Sequence, residues 1–346
     1  MRPRPSPGGA GHGRYSFAGM RAMVLHQHGG PEELQLAEVA SPQPGETELL
    51  VEVHATSVNP VDAKIRRGSS VKRAFPLTLG FDVSGVVVGR GSRAHRFAAG
   101  DEVFGCPHLF RAGANADYVL LDDRVAARKP ATVDHATAAA LPLVGLTAWQ
   151  SLHDRARISA GQTLLIHAGA GGVGHIAVQL GRLAGCRVIT TAGRPDSLAF
   201  CRDVLRADEV IDYTQVDFVA RVSELTGGRG VPVAFDTVGG EVFRRSVDCV
   251  APLGQLVTIL GDHAGDRGPV LLYRSITVHH EFMGARLANE VDPAHQGTVL
   301  TGLAQLVDQG LLRPHVSARF SLAQLADAHR QIDTGRTIGK VAVEVR

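Results

Sequence analysis

The apolar positions change rhythm twice along the chain. Between residues 21 and 128 they come in short runs, at 21–27, 49–58, 83–91, 101–105 and 116–122. Turn residues separate the runs, at Gly29-Gly30-Pro31, Pro44-Gly45 and Ala99-Gly100-Asp101. Val, Leu and aromatic residues between such turns favour strands, and together they predict a β-rich, barrel-like unit. From residue 135 the pattern becomes strand–helix alternation. An Ala-rich helix opens after Asp134, a suitable N-cap. Apolar strand candidates follow at 163–168, 187–191, 209–212, 231–236, 255–260 and 275–282, with helical segments between the first five. Short apolar runs alternating with helices predict parallel βαβ units around a sheet buried on both faces. Six such strands complete a Rossmann sheet, so the fold class is α/β. After Met283, residues 302–309 and 322–333 read as helices and 340–345 as a closing strand. That last piece is too small for a core of its own. The expected division is a leader at 1–20, a first lobe at 21–134, a nucleotide-binding lobe at 135–285 and a return to the first lobe at 286–346.

Composition adds a few exclusions. A net charge of +2 points to no nucleic-acid or membrane-surface partner. No apolar run reaches the ~18 residues of a membrane span. Cys106, Cys186, Cys201 and Cys249 form no CxxC and read as reduced, buried thiols in a cytoplasmic protein. The leader holds three Pro, five Gly and no acidic residue, and it lacks the apolar core of a secretory signal. It reads as disordered, or as the product of a start placed before Met20 or Met23.

The sharpest chemical signal is Gly169-Ala170-Gly171-Gly172-Val173-Gly174 after the 163–168 strand. G-x-G-x-x-G between a strand and a helix is a dinucleotide fingerprint. Its first glycine is expected to allow the tight turn, its second to admit a pyrophosphate, and its third to let helix and strand pack closely. Amides at the helix start then face the anion. Further on, at the end of the second strand, NAD-binding sheets place an acid against the ribose 2′-hydroxyl. Here the chain reads Ala192-Gly193-Arg194-Pro195-Asp196-Ser197. Arg194, with Ser197 beside it, suits a 2′-phosphate, so the favoured cofactor is NADPH. Asp196 behind Pro195 is read as a helix cap.

Four further segments carry a resemblance: Ser57-Val58-Asn59-Pro60-Val61-Asp62-Ala63-Lys64, Gly80-Phe81-Asp82-Val83-Ser84-Gly85, Leu141 to Ala148, and Phe235-Asp236-Thr237-Val238-Gly239-Gly240. With the glycine loop, they make residues 21–346 similar to the medium-chain dehydrogenase/reductase superfamily. The closer likeness is to its zinc-independent quinone oxidoreductase (zeta-crystallin-like) branch. The resemblance implies a GroES-like catalytic lobe, a Rossmann lobe and a cofactor cleft between them. Zinc members carry C-x-x-D, G-H-E and a further Cys. The matching places here read Asn59-Pro60-Val61-Asp62, Gly80-Phe81-Asp82 and Leu141-Pro142-Leu143. Without nitrogen or sulfur donors, tetrahedral zinc is not held, so no metal is expected.

Hydride transfer to an already electrophilic acceptor needs no Lewis acid, which favours a quinone or α,β-unsaturated carbonyl as substrate. The resemblance makes Asn59 and Thr147 the catalytic candidates. It adds Asp62, Tyr213, Val238, Leu260, Gly261 and Lys340 to Gly169, Gly171, Gly172, Val173, Gly174, Arg194 and Ser197 as cofactor-binding candidates. Asn59 also reads as a turn residue, Thr147 as a buried helix hydroxyl and Lys340 as a solvent-facing cation. Residues 108–115 are expected to border the substrate pocket. Two other functions stay open: a non-catalytic NADPH-binding sensor or structural protein, and a 2-enoyl thioester reductase. Strand 275–282 at the sheet edge is expected to pair two subunits into a homodimer.

Overall fold

The computed structural model describes residues 19–68, 73–260 and 265–346. The chain opens with β1 (Met20–Leu25), β2 (Gln35–Val39) and the long central strand β3 (Glu48–Val58). Helix α1 (Pro60–Arg66) follows at once, with Asn59 as N-cap and Pro60 in its first turn. Next come β4 (Leu77–Thr78), β5 (Val83–Arg90), β6 (Glu102–Gly105), β7 (Tyr118–Asp122) and β8 (Ala127–Arg128). β1 pairs antiparallel with β2 and β4 in a small sheet. Met20 is already in β1, buried and opposite Val39, so the first strand begins one residue inside the expected leader. Residues 1–18 lie outside the described residues.

Two helices lead into the second lobe. α2 (His135–Ala139) is capped by Asp134, whose Oδ1 accepts the Thr137 amide at 2.8 Å. α3 (Pro142–Trp149) runs on into a wider turn at Gln150–Arg155. Then β9 (Thr163–Ile166), α4 (Gly172–Leu183), β10 (Arg187–Ala192), α5 (Pro195–Ala199), β11 (Glu209–Asp212), α6 (Phe218–Leu225), β12 (Val231–Asp236), α7 (Gly240–Cys249), β13 (Val250–Thr258), α8 (Gly268–Tyr273) and β14 (Thr277–His280) alternate. The six strands are parallel, in the order β11-β10-β9-β12-β13-β14. Leu165, Ile189, Ala234 and Leu256 pack on one face of this sheet, and Leu164, Ile166, Val188 and Val257 on the other. Burial on both faces explains the unbroken apolar runs.

The remainder is α9 (Ala285–Ala288), α10 (Ala294–Asp308), β15 (Val316–Ser321), α11 (Leu325–Asp333) and β16 (Lys340–Glu344). β16 pairs antiparallel with β3, Val341 opposite Val58, and β15 lies parallel beside it. The main sheet of the first lobe thus runs β15-β16-β3-β5-β6-β8, with β7 on β3. The C-terminal strands complete a sheet begun at the other end of the chain. Among the described residues no helix is long and apolar enough to cross a membrane. All four cysteines are buried free thiols.

Candidate active site

The junction between the lobes is built around one buried carboxylate, Asp82, with no solvent exposure. Its Oδ2 accepts from Ser57 Oγ at 2.5 Å and Asn59 Nδ2 at 2.7 Å, and its Oδ1 accepts the Leu143 amide at 2.7 Å. Lys340 Nζ stands 3.5 Å from Oδ2 and donates to Asn59 Oδ1 at 2.5 Å and the Val58 carbonyl at 3.1 Å. A buried charge of either sign is tolerated only when paired and hydrogen-bonded, and here both conditions hold. β3, the start of α3, the approach to β5 and the start of β16 thereby meet at one point.

Asn59, Asp62 and Lys340 are brought together here, each with much of its hydrogen bonding spent. Asn59 keeps one amide hydrogen beyond its bond to Asp82. The Lys340 ammonium, expected either at the cofactor or in solvent, has three acceptors among protein oxygens and is buried. Its stem, not its charge, reaches the glycine loop: a Cβ on Gly172 would lie 3.4 Å from Lys340 Cδ. Asp62 accepts the amides of Asn59 at 2.8 Å and Gly80 at 3.0 Å. Burial drives its pKa up to about 7, against the pull of those two amides. Thr147, one helical turn beyond Leu143, donates Oγ1–H to the Leu143 carbonyl at 2.7 Å.

The glycine loop leads from β9 into α4. The left-handed residue of its turn is Ala168, φ +50°, and not Gly169. Gly169 is required for another reason: a Cβ there would sit 2.1 Å from Thr190 Oγ1 on β10. A Cβ on Gly174 would sit 2.1 Å from the Ala168 carbonyl oxygen, so helix and strand pack too closely for a side chain. Gly171 is freer, its nearest neighbour being 3.2 Å away. The first-turn amides of Gly172, Val173 and Gly174 have no intrahelical carbonyl to meet. The Gly339 amide donates to the Ala170 carbonyl at 2.8 Å, which ties this loop to the residue before Lys340.

Two buried histidines brace the loop. The Ala168 amide donates to Thr191 Oγ1, which sits 3.2 Å from His167 Nδ1, while His167 Nε2 is 2.9 Å from Ser246 Oγ. Ser246 Oγ–H is committed to the Val242 carbonyl, so His167 Nε2 carries the proton. His175 donates Nδ1–H to the Gly171 carbonyl at 3.0 Å and accepts the His315 amide on Nε2 at 3.2 Å. Burial holds both imidazoles below their ordinary pKa, His175 at about 4.

At the ends of β10 and β11, Arg194, Ser197 and Tyr213 come together. The Arg194 amide donates to Ser197 Oγ at 3.1 Å, and Ser197 Oγ–H donates to the Arg194 carbonyl at 2.9 Å, closing the first turn of α5. The Tyr213 ring covers Gly193, where a Cβ would meet Cζ at 2.5 Å. Asp196, read as a cap, accepts the first-turn Ser197 amide on Oδ1 at 2.7 Å and also pairs with Arg194, Nε to Oδ1 at 3.1 Å. Arg194 also donates to the Arg336 carbonyl at 2.7 Å. Beyond β12, Asp236 accepts the Val238 and Gly239 amides at 3.0 and 2.9 Å and leaves Val238 exposed. Leu260 packs over Gly239. Gly261 lies outside the described residues. All these groups stand at the carboxyl ends of parallel strands, where doubly wound sheets bind ligands.

A separate cleft of about 800 Å³ opens in the first lobe, lined by Val39, Glu48, His108, Arg111, Tyr118 and Arg124 among others. None of the candidates at the lobe junction lines it.

Comparison with known proteins follows the same outline. Residues 45–131 match the alcohol dehydrogenase GroES-like domain, and residues 205–343 match the zinc-binding dehydrogenase family. The quinone oxidoreductase of Pseudomonas aeruginosa is 32% identical over 91% of this chain and 97% of its own. A zinc-type alcohol dehydrogenase-like protein of Staphylococcus aureus is 33% identical over 89% of this chain and 94% of its own. The crystal structure of Escherichia coli quinone oxidoreductase complexed with NADPH superposes with a TM-score of 0.85 at 29% identity, covering 94% of this chain and all of that one. The zinc in two of these descriptions does not fit the residues present. Asn59 and Phe81 offer neither thiolate nor imidazole, Asp82 is saturated by protein donors, and an ammonium already stands beside it.

The histidine brace makes stability pH-dependent. The folded protein keeps His175 neutral down to about pH 4, whereas the unfolded chain protonates it near its ordinary value of about 6.5. Its contribution is therefore complete above that value and is lost as pH falls towards 4. Urea unfolding at pH 5 is expected to show about 2 kcal/mol less stability from this group than at pH 7.5, and His175→Gln should flatten that slope. Equal slopes in the variant and the parent would contradict the assignment.

Proposed function

Because the chain belongs to the medium-chain dehydrogenase/reductase superfamily, we propose that it is an NADPH-dependent reductase of quinones or α,β-unsaturated carbonyls that works without zinc. The carrying observation is the Lys340–Asp82 pair with its Asn59 and Ser57 partners, which fills the candidate site with a hydrogen-bonded cluster instead of metal donors. The relatives named quinone oxidoreductase, one of them described with NADPH, support the same reading. When bound, NADPH supplies a hydride to an electrophilic carbon.

The protein's part is binding, orientation and exclusion of water. Open Gly171 and the first-turn amides of α4 receive the diphosphate. Arg194 and Ser197 hold the 2′-phosphate, with Tyr213 beside them. Asp196 must then give up its pairing with Arg194. Val238 and Leu260 line the nicotinamide side. The remaining Asn59 amide hydrogen meets the oxygen on which negative charge develops, and Thr147 flanks it from α3. Asp82 and Lys340 fix the orientation of Asn59. The buried thiols suit a reducing cytoplasm.

A panel of quinones and enones, run with NADPH and NADH, tests this reading. NADPH oxidation is expected with at least one neutral quinone, and a chelator should leave the rate intact. Arg194→Asp is expected to weaken NADPH roughly 10- to 100-fold with NADH little affected. Equal losses for both cofactors would remove the 2′-phosphate assignment.

We also propose a homodimer joined along β14, an edge strand with its outer side unpaired in the sheet order. Leu253, Leu272 and Tyr273 nearby are more than four-fifths exposed. Sedimentation at micromolar concentration should give twice the chain mass, and a monomer there would end the proposal.

A further inference from the structure

Among the described residues no hydrogen bond or ion pair reaches the Arg73 guanidinium. Its three guanidinium nitrogens are each buried and have no hydrogen-bond partner among the described residues. The guanidinium carbon lies 5.3 Å from the ring centre of Phe81 and 5.9 Å from that of Phe110. Phe81 is fully buried and adjoins Asp82, while Phe110 is about half exposed in the 108–115 loop. Arg73 therefore stands between the floor of the candidate site and a loop at its surface. Other arginines of this lobe have a carboxylate partner: Arg111 pairs with Glu48, and Arg66 and Arg67 share Asp333, although Arg66 keeps Nε and Nη1 unpartnered. The Asp62 carboxylate raises the Arg73 pKa through space, but both Asp62 oxygens already accept backbone amides. Burial lowers the pKa of Arg73, and its charge helps to lower that of His108 in the same loop.

A guanidinium held out of water with every hydrogen unused is costly, and native structures rarely keep one without a purpose. Two aromatic rings steady its plane, and the fork of N–H donors matches a carboxylate in paired geometry. We propose that Arg73 is a specificity residue that binds an anionic group on the acceptor, so that the natural substrates are enones or quinones bearing a carboxylate. This rests on the reductase reading above and narrows its substrate class.

The test uses trans-3-benzoylacrylic acid and its methyl ester, one enone with and without a negative charge. With NADPH and the whole chain, kcat/KM for the acid is expected to exceed that for the ester. Arg73→Gln should lower the acid-to-ester ratio about 10- to 100-fold, mainly through KM for the acid, and Arg73→Lys should restore part of it. Calorimetric titration with the acid alone gives a readout independent of turnover. Binding by the parent and its loss in Arg73→Gln support the proposal. Because Arg73 has no hydrogen-bond partner among the described residues, Arg73→Gln should melt no lower than the parent, and the acid should raise the parent's Tm. An unchanged ratio in Arg73→Gln, or a parent that prefers the ester, would overturn the assignment. If no acceptor, including neutral 1,2-naphthoquinone, oxidises NADPH, the reductase reading fails, while the titration still judges Arg73 as an anion site.

Discussion

The buried carboxylate of Asp82 constrains everything around it. It has no access to water, so the chain must supply its hydrogen bonds and a cation. Ser57 and Asn59 come from the end of β3, the Leu143 amide from α3, and Lys340 from the start of β16. Positions 82, 143 and 340 lie far apart in the chain, so their convergence is a statement about tertiary structure. Once they meet, Gly339 is in place to hold Ala170, and the nucleotide loop is tied to the catalytic lobe. Fold and cleft therefore share one electrostatic anchor.

The loop itself is held by subtraction as much as by contact. Gly169 and Gly174 lack side chains because Thr190 and the Ala168 carbonyl occupy that space. Gly171 is less crowded, the Ala168 carbonyl oxygen alone lying within 4 Å of where its Cβ would be, at 3.2 Å. His167 and His175 fix the carbonyls and amides behind the loop through hydrogen bonds that only neutral imidazoles satisfy. The binding surface is thus preorganised, and its cost appears as sensitivity to acid.

Much of this was legible in the residues. The strand Val231–Asp236 falls on its apolar run, because a strand buried on both faces reads as an unbroken apolar run. β2 and β15 escaped notice because each lies half in solvent, and β13 starts earlier than expected, at Val250, through a stretch broken by Pro252 and Gly254. α1 was hidden by its shortness and by Pro60. In the site, Arg194, Ser197 and Tyr213 meet at the ends of β10 and β11, and Asp196 both accepts the Ser197 amide, as expected of a cap, and pairs with Arg194. Asp82 as the hub was missed, although an acid inside the apolar stretch Leu79 to Val83 was the available signal. His167 and His175 gave no signal, since a histidine beside a glycine loop looks the same in sequence whether exposed or locked. Lys340 was placed at the cofactor, and only three-dimensional pairing reveals that its charge is spent on Asn59, Val58 and Asp82.

The account stands on the coupling between Lys340 and Asp82, and a double-mutant cycle measures it. Lys340→Met and Asp82→Asn are each expected to cost about 3–5 kcal/mol in urea unfolding, since either leaves a buried charge unmatched. The combined variant should cost clearly less than the two losses added together. If each change costs under about 1 kcal/mol and the two simply add, Asp82 is not the anchor described here.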